Sequence, residues 1–152
     1  MGAVFFYHLT RRPLEAALPV LLEKSREQGW RVVIRGRKPE MLDWLDEKLW
    51  LVGDDAGFLP HGRSGGAHDA AQPILLTDGA EVADCLMSVD GAELSAEEIK
   101  ASERACVFFD GNDDEALQRA RGQWKSLTEA GCAAQYWSED SGRWEKKAES
   151  SG

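Results

Sequence analysis

The sequence predicts an α/β fold in which helices cover a mostly parallel sheet. Three observations support this prediction. Short apolar segments rich in aromatic and β-branched residues alternate with segments whose apolar residues recur every three or four positions. The intervals between strands leave room for helical crossovers, which parallel strands require. The length of 152 residues suits a single domain.

The first half of the chain contains two strand–helix units and then a loop. Pro13 fits the first turn of the first helix, and Gly29 supplies its end. Pro39 begins the second helix, whose apolar face ends with Trp50. The predicted elements are a strand at 3–9, a helix between 13 and 29, a strand at 30–34, a helix from 39, and a loop at 53–66.

The second half repeats the alternation and ends in a polar tail. Asn112 or Asp113 caps a helix that runs to about residue 130, where Gly131 stops it. Because the residues after Trp144 are charged or small, we expect a domain at 1–145 and a frayed tail at 146–152. The other predicted elements are strands at 73–76, 104–109 and 135–137, a candidate strand at 85–89, and a short helix or turn at 95–102.

Composition excludes several classes of protein. A formal charge of −9 and a pI near 4.8 argue against a general nucleic-acid binder, so we expect any contact with DNA to be indirect. The three cysteines show no disulfide or metal-ligand spacing, which favours a reduced, cytoplasmic protein. No segment approaches the roughly 20 apolar residues of a membrane helix, so we expect no membrane partner.

The sequence does not contain a recognisable catalytic set. Its most glycine-rich segment, residues 62–66, lacks the lysine of a phosphate-binding loop, and the first strand–helix junction has no glycine. A degenerate nucleotide-binding enzyme is therefore a disfavoured alternative. His61, His68 and Asp69 could form a metal site, but a solvated loop is the favoured interpretation. We predict no catalytic residue, no cofactor and no metal.

The most informative cluster lies on the last predicted helix. Arg121, Trp124 and Lys125 are spaced three and four apart, which places two cations and an indole on one side of that helix. In a chain of charge −9, this cluster could dock an acidic peptide with an apolar tip. The alternative is that Trp124 belongs to the core and the cations are solvated. Spacing alone favours that alternative.

Several short blocks along the chain carry a family resemblance. In order, they are Phe6-Tyr7-His8-Leu9, Trp30-Arg31-Val32-Val33-Ile34, Leu45-Asp46-Glu47-Lys48-Leu49-Trp50, Gly57-Phe58-Leu59-Pro60-His61-Gly62, Gln72-Pro73-Ile74-Leu75-Leu76, Phe108-Phe109-Asp110-Gly111, Ala120-Arg121 with Trp124-Lys125, and Ala130-Gly131 with Tyr136-Trp137. Together they resemble the chi subunit family of bacterial DNA polymerase III holoenzyme across essentially the whole chain. The blocks at 58–62 and 121–125 carry most of the weight.

The resemblance implies a fold and a role. The fold is a single three-layer α/β domain, Rossmann-like but without a phosphate-binding loop. The role is that of a non-catalytic accessory protein of the clamp-loader assembly, with no cofactor. It implies two partners: the psi subunit, which ties chi to the clamp loader, and the acidic C-terminal tail of single-stranded-DNA-binding protein. That tail ends in an apolar residue and a free carboxylate.

The resemblance also assigns residues to two surfaces. The tail-binding positions are Arg121, Trp124 and Lys125, with Phe109 as an apolar position beside them, and the psi-facing positions are Trp50, Phe58 and Pro60. An arginine–carboxylate pair and a buried aromatic anchor are strong elements of such a pocket. For Trp50 the alternative is core packing, whereas Phe58 lies in a glycine-flanked loop where an exposed anchor is plausible.

Some features of the chain depart from the family or stay open. Gly122 interrupts the binding helix at a cost of up to about 1 kcal/mol relative to alanine. Val107 stands where the family often carries an acid. The resemblance by itself does not establish a psi partner, so a chi-like adaptor with a different partner in place of psi is an alternative to the role described above.

Overall fold

The computed structural model describes residues 3–10, 14–56, 61–63, 73–79, 81, 83–138 and 144–150, with side chains except at 50–56 and 63. These residues form eight strands and four helices. The strands are β1 (Ala3–Leu9), β2 (Val32–Arg35), β3 (His61–Arg63), β4 (Ile74–Thr77), β5 (Cys85–Ser88), β6 (Arg104–Asp110), β7 (Ala133–Ser138) and β8 (Glu145–Ser150). The helices are α1 (Leu14–Glu27), α2 (Pro39–Ala56), α3 (Ala96–Ala101) and α4 (Asp114–Glu129).

All eight strands belong to one sheet, in the order β3-β4-β2-β5-β6-β1-β7-β8. Every neighbouring pair is parallel except β7 and β8, which are antiparallel. The predicted α/β fold with a mostly parallel sheet is confirmed. The candidate strand at 85–89 and the short helix at 95–102 are present as β5 and α3.

Helices cover both faces of the sheet, which gives three layers. Apolar side chains of α1 and α2, including Leu18 and Leu45, pack on one face. Those of α3 and α4, including Ile99 and Leu127, pack on the other. Because both faces are covered, the central strands β2, β4 and β5 are buried along their whole length, as expected for a parallel sheet.

The region predicted as a loop at 53–66 differs from the structure. The helix α2 continues to Ala56, and His61 begins the edge strand β3. His61 is 4% exposed, and its Nε2 lies 3.0 Å from the carbonyl oxygen and 3.2 Å from a carboxylate oxygen of Asp46. Because both oxygens are acceptors, Nε2 donates to Asp46 and fastens β3 to α2. His68 and Asp69 lie outside the described residues.

The tail predicted as frayed at 146–152 also differs. Residues 145–150 form β8, which pairs with β7. Just before it, Trp144 packs against Tyr7 with ring centroids 5.3 Å apart. Backbone hydrogen bonds hold β8, and such bonds do not depend on apolar side chains. This explains why a polar sequence did not reveal the strand.

A buried arginine holds the end of β2. The guanidinium of Arg35 donates to both carboxylate oxygens of Glu98, at 2.9 and 2.7 Å, and to the carbonyl oxygens of Glu93 and Glu81, both at 3.1 Å. The hydrogen bond from Arg35 lowers the pKa of Glu98 to about 2. Glu98 also accepts from the backbone N–H of Ser95, which caps α3. Arg35 therefore ties β2 to α3.

The order of the strands determines which face α4 covers. Because β6 and β7 lie on either side of β1, the helix that joins them crosses β1. The β1 residues in the α4-side cluster are Val4 and Phe6, and strand alternation puts His8 on the same side. Since the joined strands are parallel, α4 runs antiparallel to them. Its first turn therefore lies near the carboxyl ends of the strands.

Candidate functional site

The helix α4 is defined by a cap at its start and a buried stripe along its length. The carboxylate of Asp113 accepts hydrogen bonds from the backbone N–H groups of Glu115 and Ala116. Ala120 and Leu127 are buried against the sheet. The predicted cap at Asp113 and the helix are confirmed, and α4 ends at Glu129, one residue before the predicted end at about residue 130.

Trp124 lies at the border between the core and the surface. It is partly buried, with its indole centroid 5.4 Å from the ring of Phe6 and 6.1 Å from that of Tyr136, both in edge-on arrangements. One part of the indole therefore belongs to the core cluster, and another part is accessible. The core interpretation is correct for part of this side chain, and the docking interpretation stays a prediction.

Arg121 and Lys125 are both exposed on the flank of α4 that carries Trp124. In the described part of the chain, neither side chain forms a hydrogen bond or an ion pair. Two positive charges thus flank a partly exposed indole without a carboxylate of the described chain to neutralise them. We call the surface formed by Arg121, Trp124 and Lys125 the α4 notch.

Phe109 is too enclosed to contact a ligand over a large area. It is 7% exposed, and its ring centroid lies 5.2 Å from His8 and 5.8 Å from Tyr136. The aromatic ring between Phe109 and Trp124 is Tyr136, which contacts both. Phe109 and Trp124 are therefore joined through a residue that was not assigned a role.

Tyr136 and its partner His8 are the residues that the sequence did not single out. Nδ1 of His8 lies 2.7 Å from the hydroxyl oxygen of Tyr136 across 128 positions of sequence. The imidazole also packs directly on the backbone of Gly111, where a side chain would overlap the ring. Both residues stand in blocks that carry the family resemblance. Only the order of the strands brings these blocks together.

Val107 and Gly122 depart from the family pattern, and the structure shows what surrounds each of them. Val107 is 3% exposed and belongs to the core cluster beneath α4, which suits an apolar residue better than an acid. Gly122 faces open space, since a Cβ there would meet nothing within 4 Å. No neighbour in the described structure requires a glycine at this position.

A cavity of about 620 Å³ opens on the other flank of α4, at the carboxyl ends of β1 and β6. Crevices at this edge of an open α/β sheet commonly bind ligands. Phe109 and Arg119 line it, whereas the three residues of the α4 notch do not. The notch is therefore a surface feature beside the helix and is separate from this crevice.

Three charged groups of the crevice, Arg37, Asp90 and Asp113, are paired within the chain. The side chain of Arg37 donates to the carbonyl oxygen of Asp90 at 2.6 Å and lies 3.9 Å from its carboxylate. The other carboxylate oxygen of Asp90 accepts from the backbone N–H of Lys38 at the start of α2, and Asp113 caps α4. Carboxylates thus occupy the helix ends where a bound phosphate would lie.

The residues assigned to psi are not tested by the structure. The backbone of Trp50 lies in α2, but its side chain is not described. Phe58 and Pro60 lie outside the described residues. Six residues earlier on α2, Trp44 is 37% exposed, and its ring centroid lies 5.8 Å from the ammonium group of Lys48.

The family model of the DNA polymerase III chi subunit, HolC, matches residues 1–135. The chain belongs to the DNA polymerase III chi subunit family. This confirms the resemblance and supports an accessory role in replication together with other components of DNA polymerase III. No curated protein matches the chain. Within the described residues, no helix is long and apolar enough to cross a membrane, and no three potential metal ligands cluster.

Proposed function

We propose that this chi-family protein links the clamp loader of DNA polymerase III to single-stranded-DNA-binding protein. It does so by capturing the acidic C-terminal tail of that protein at the α4 notch. It contacts DNA only indirectly and contributes no catalytic residue. In support of a non-catalytic role, internal carboxylates occupy the helix ends of the crevice, where an α/β enzyme would hold a phosphate.

The observation that carries the proposal is the exposure of two cations without a carboxylate partner in the α4 notch. The chain has a net charge of −9, yet Arg121 and Lys125 are exposed beside Trp124 with no carboxylate partner in the described structure. The net negative charge of the protein repels acidic chains at long range, whereas the isolated positive patch attracts them locally. This arrangement favours specific binding at the notch over non-specific binding of acidic chains.

Each residue of the notch has a separate role in the proposal. Arg121 and Lys125 pair with carboxylates of the tail, and the accessible part of Trp124 receives the terminal apolar side chain. Phe109, at 7% exposure, supports this surface from beneath through Tyr136 instead of contacting much of the tail.

The second half of the role concerns psi. We propose that Trp50, Phe58 and Pro60 form the psi-facing surface at the end of α2 and beyond it. The family assignment supports this proposal, because it implies association with other components of DNA polymerase III. A chi-like adaptor that has exchanged psi for another partner is the alternative.

The test of tail capture is a titration with a peptide of the tail sequence, measured by calorimetry or fluorescence anisotropy. The double variant Arg121→Ala, Lys125→Ala removes both cations of the notch. We expect it to bind at least about tenfold more weakly than the wild type, because charge-assisted hydrogen bonds contribute more than 1 kcal/mol each. Wild-type affinity should also fall as salt is added.

A matched control separates the local pocket from overall charge. Lys24→Ala, Lys38→Ala removes the same two charges from exposed positions on other parts of the surface. We expect this variant to keep wild-type affinity within about twofold, since separated surface charges are screened. Equal affinity of the wild type and the notch variant would overturn the proposal.

A pull-down from native cell extract tests the psi half, since clamp-loader proteins should be recovered with the tagged chain.

A further inference from the structure

Tyr136 forms the floor of the α4 notch. It lies on β7 directly opposite Phe6 of β1, so its side chain points to the face that α4 covers. The ring is partly exposed, and it touches Trp124 on one side and Phe109 on the other. A peptide end that packs against the indole of Trp124 would therefore also reach the phenol.

His8 holds this phenol in one orientation. Its Nδ1 lies 2.7 Å from the hydroxyl oxygen, and its ring is fixed between Phe109 and the backbone of Gly111. The Nε2–Cδ2 edge of the ring faces Gly111. In the neutral tautomer that carries its proton on Nδ1, the imidazole donates to the phenol oxygen. This directs the phenol's own O–H away from the imidazole.

The direction of α4 places Arg121 near the same end of the notch. Because α4 runs antiparallel to the strands, residues earlier in the helix lie closer to the carboxyl ends of β1 and β7. Arg121 precedes Trp124 by three residues, which is about 4.5 Å along the helix axis. Arg121 is therefore displaced from Trp124 toward the end of the sheet that carries His8. Lys125 follows Trp124 and is displaced toward the other end of the sheet.

We propose that Tyr136, positioned by His8, recognises the free terminal carboxylate of the tail together with Arg121. This inference rests on the proposed function and adds the orientation of the bound tail. The terminal carboxylate lies toward His8, the last apolar side chain lies against Trp124, and the preceding acidic residues extend toward Lys125. His8 is a positioning residue, and Tyr136 is the contact residue.

The test compares two tail peptides that differ only at the end, one with a free carboxylate and one with a terminal amide. Wild type should prefer the free acid by about tenfold or more, the range of hydrogen bonds to a charged group. Tyr136→Phe removes one oxygen from a partly exposed ring. We expect it to reduce that preference to about threefold, with Arg121 supplying the remainder, and to bind the amide as the wild type does.

The chain offers a matched control in Tyr7, its only other tyrosine. Tyr7 is 8% exposed, its pKa is raised by burial, and it belongs to the core cluster on the opposite face of the sheet. Tyr7→Phe should keep the wild-type preference for the free acid, whatever it does to stability. A Tyr136→Phe variant with the same preference as Tyr7→Phe would overturn the inference.

Variants of His8 test the positioning role separately. His8→Leu should lose the preference for the free acid to about the same extent as Tyr136→Phe. His8→Gln can still donate to the phenol, so it should retain a larger preference than His8→Leu. A His8→Leu variant with full preference would remove His8 from the role. If wild type bound neither peptide, tail capture itself would fail, which is distinct from losing only the discrimination between acid and amide.

Discussion

The α4 notch and the end of β2 use arginine in opposite ways. Arg35, at the end of β2, is 7% exposed and donates to the carboxylate of Glu98 and to two carbonyl oxygens. Arg121, on α4, is exposed and has no hydrogen bond or ion pair in the described structure. A cation that is paired with a carboxylate of its own chain stabilises the fold and is not free to bind a ligand. An exposed cation without a partner contributes little to stability and is available for a ligand.

The largest expected effect in this comparison is on stability at the end of β2. Arg35→Ala removes the guanidinium that donates to the Glu98 carboxylate and to two carbonyl oxygens. Removing one partner of a buried ion pair costs roughly 3 kcal/mol or more. Urea unfolding should show a decrease of this size, whereas the folded variant should bind the tail peptide like the wild type. A stable Arg35→Ala protein would show that the network contributes little.

The pH dependence of stability sharpens the same contrast. Arg35 lowers the pKa of Glu98 from its ordinary value of 4.5 to about 2. The stabilisation is therefore complete above about pH 4.5 and is lost as the pH falls toward 2. The free energy of unfolding of the wild type should exceed that of Glu98→Gln by a constant amount above pH 5. The difference should shrink below that pH, and a pH-independent difference would contradict the assignment.

A smaller effect distinguishes the two flanks of α4. Arg119 lies against Gly91 in the crevice, whereas Arg121 lies in the notch two residues later. The variants Arg119→Ala and Arg121→Ala each remove one positive charge from α4. Arg121→Ala should weaken tail binding by about five- to tenfold, while Arg119→Ala should change it by less than about twofold. Equal losses in the two variants would mean that the overall charge of α4 matters and the notch does not.

Much of the fold could be predicted because its signals are local. The cap at Asp113, the stop at Gly131 and the alternation of apolar segments each depend on a few neighbouring residues. The edge strands β3 and β8 were missed for a physical reason. Both strands are short and polar. Backbone pairing with β4 and β7 holds them in the sheet.

The candidate site was only partly predictable. Helical spacing alone placed Arg121, Trp124 and Lys125 together. The contact between His8 and Tyr136 joins strands at the two ends of the chain, and nothing in either local sequence indicates it. The sequence also could not show that Phe109 is buried, because its position in a strand fixes which face it joins but not how far α4 covers it.

The antiparallel strand β8 has a consequence for crowded surroundings. It forms one margin of the sheet, and its side chains include Lys146 and Glu149, 3.3 Å apart, and Lys147, 3.9 Å from Glu145. A neighbouring copy that tried to extend the sheet there would have to align against a row of mixed charges. Charged margins of this kind discourage strand-to-strand addition. Copies of this chain at high local concentration would therefore stay separate along this margin.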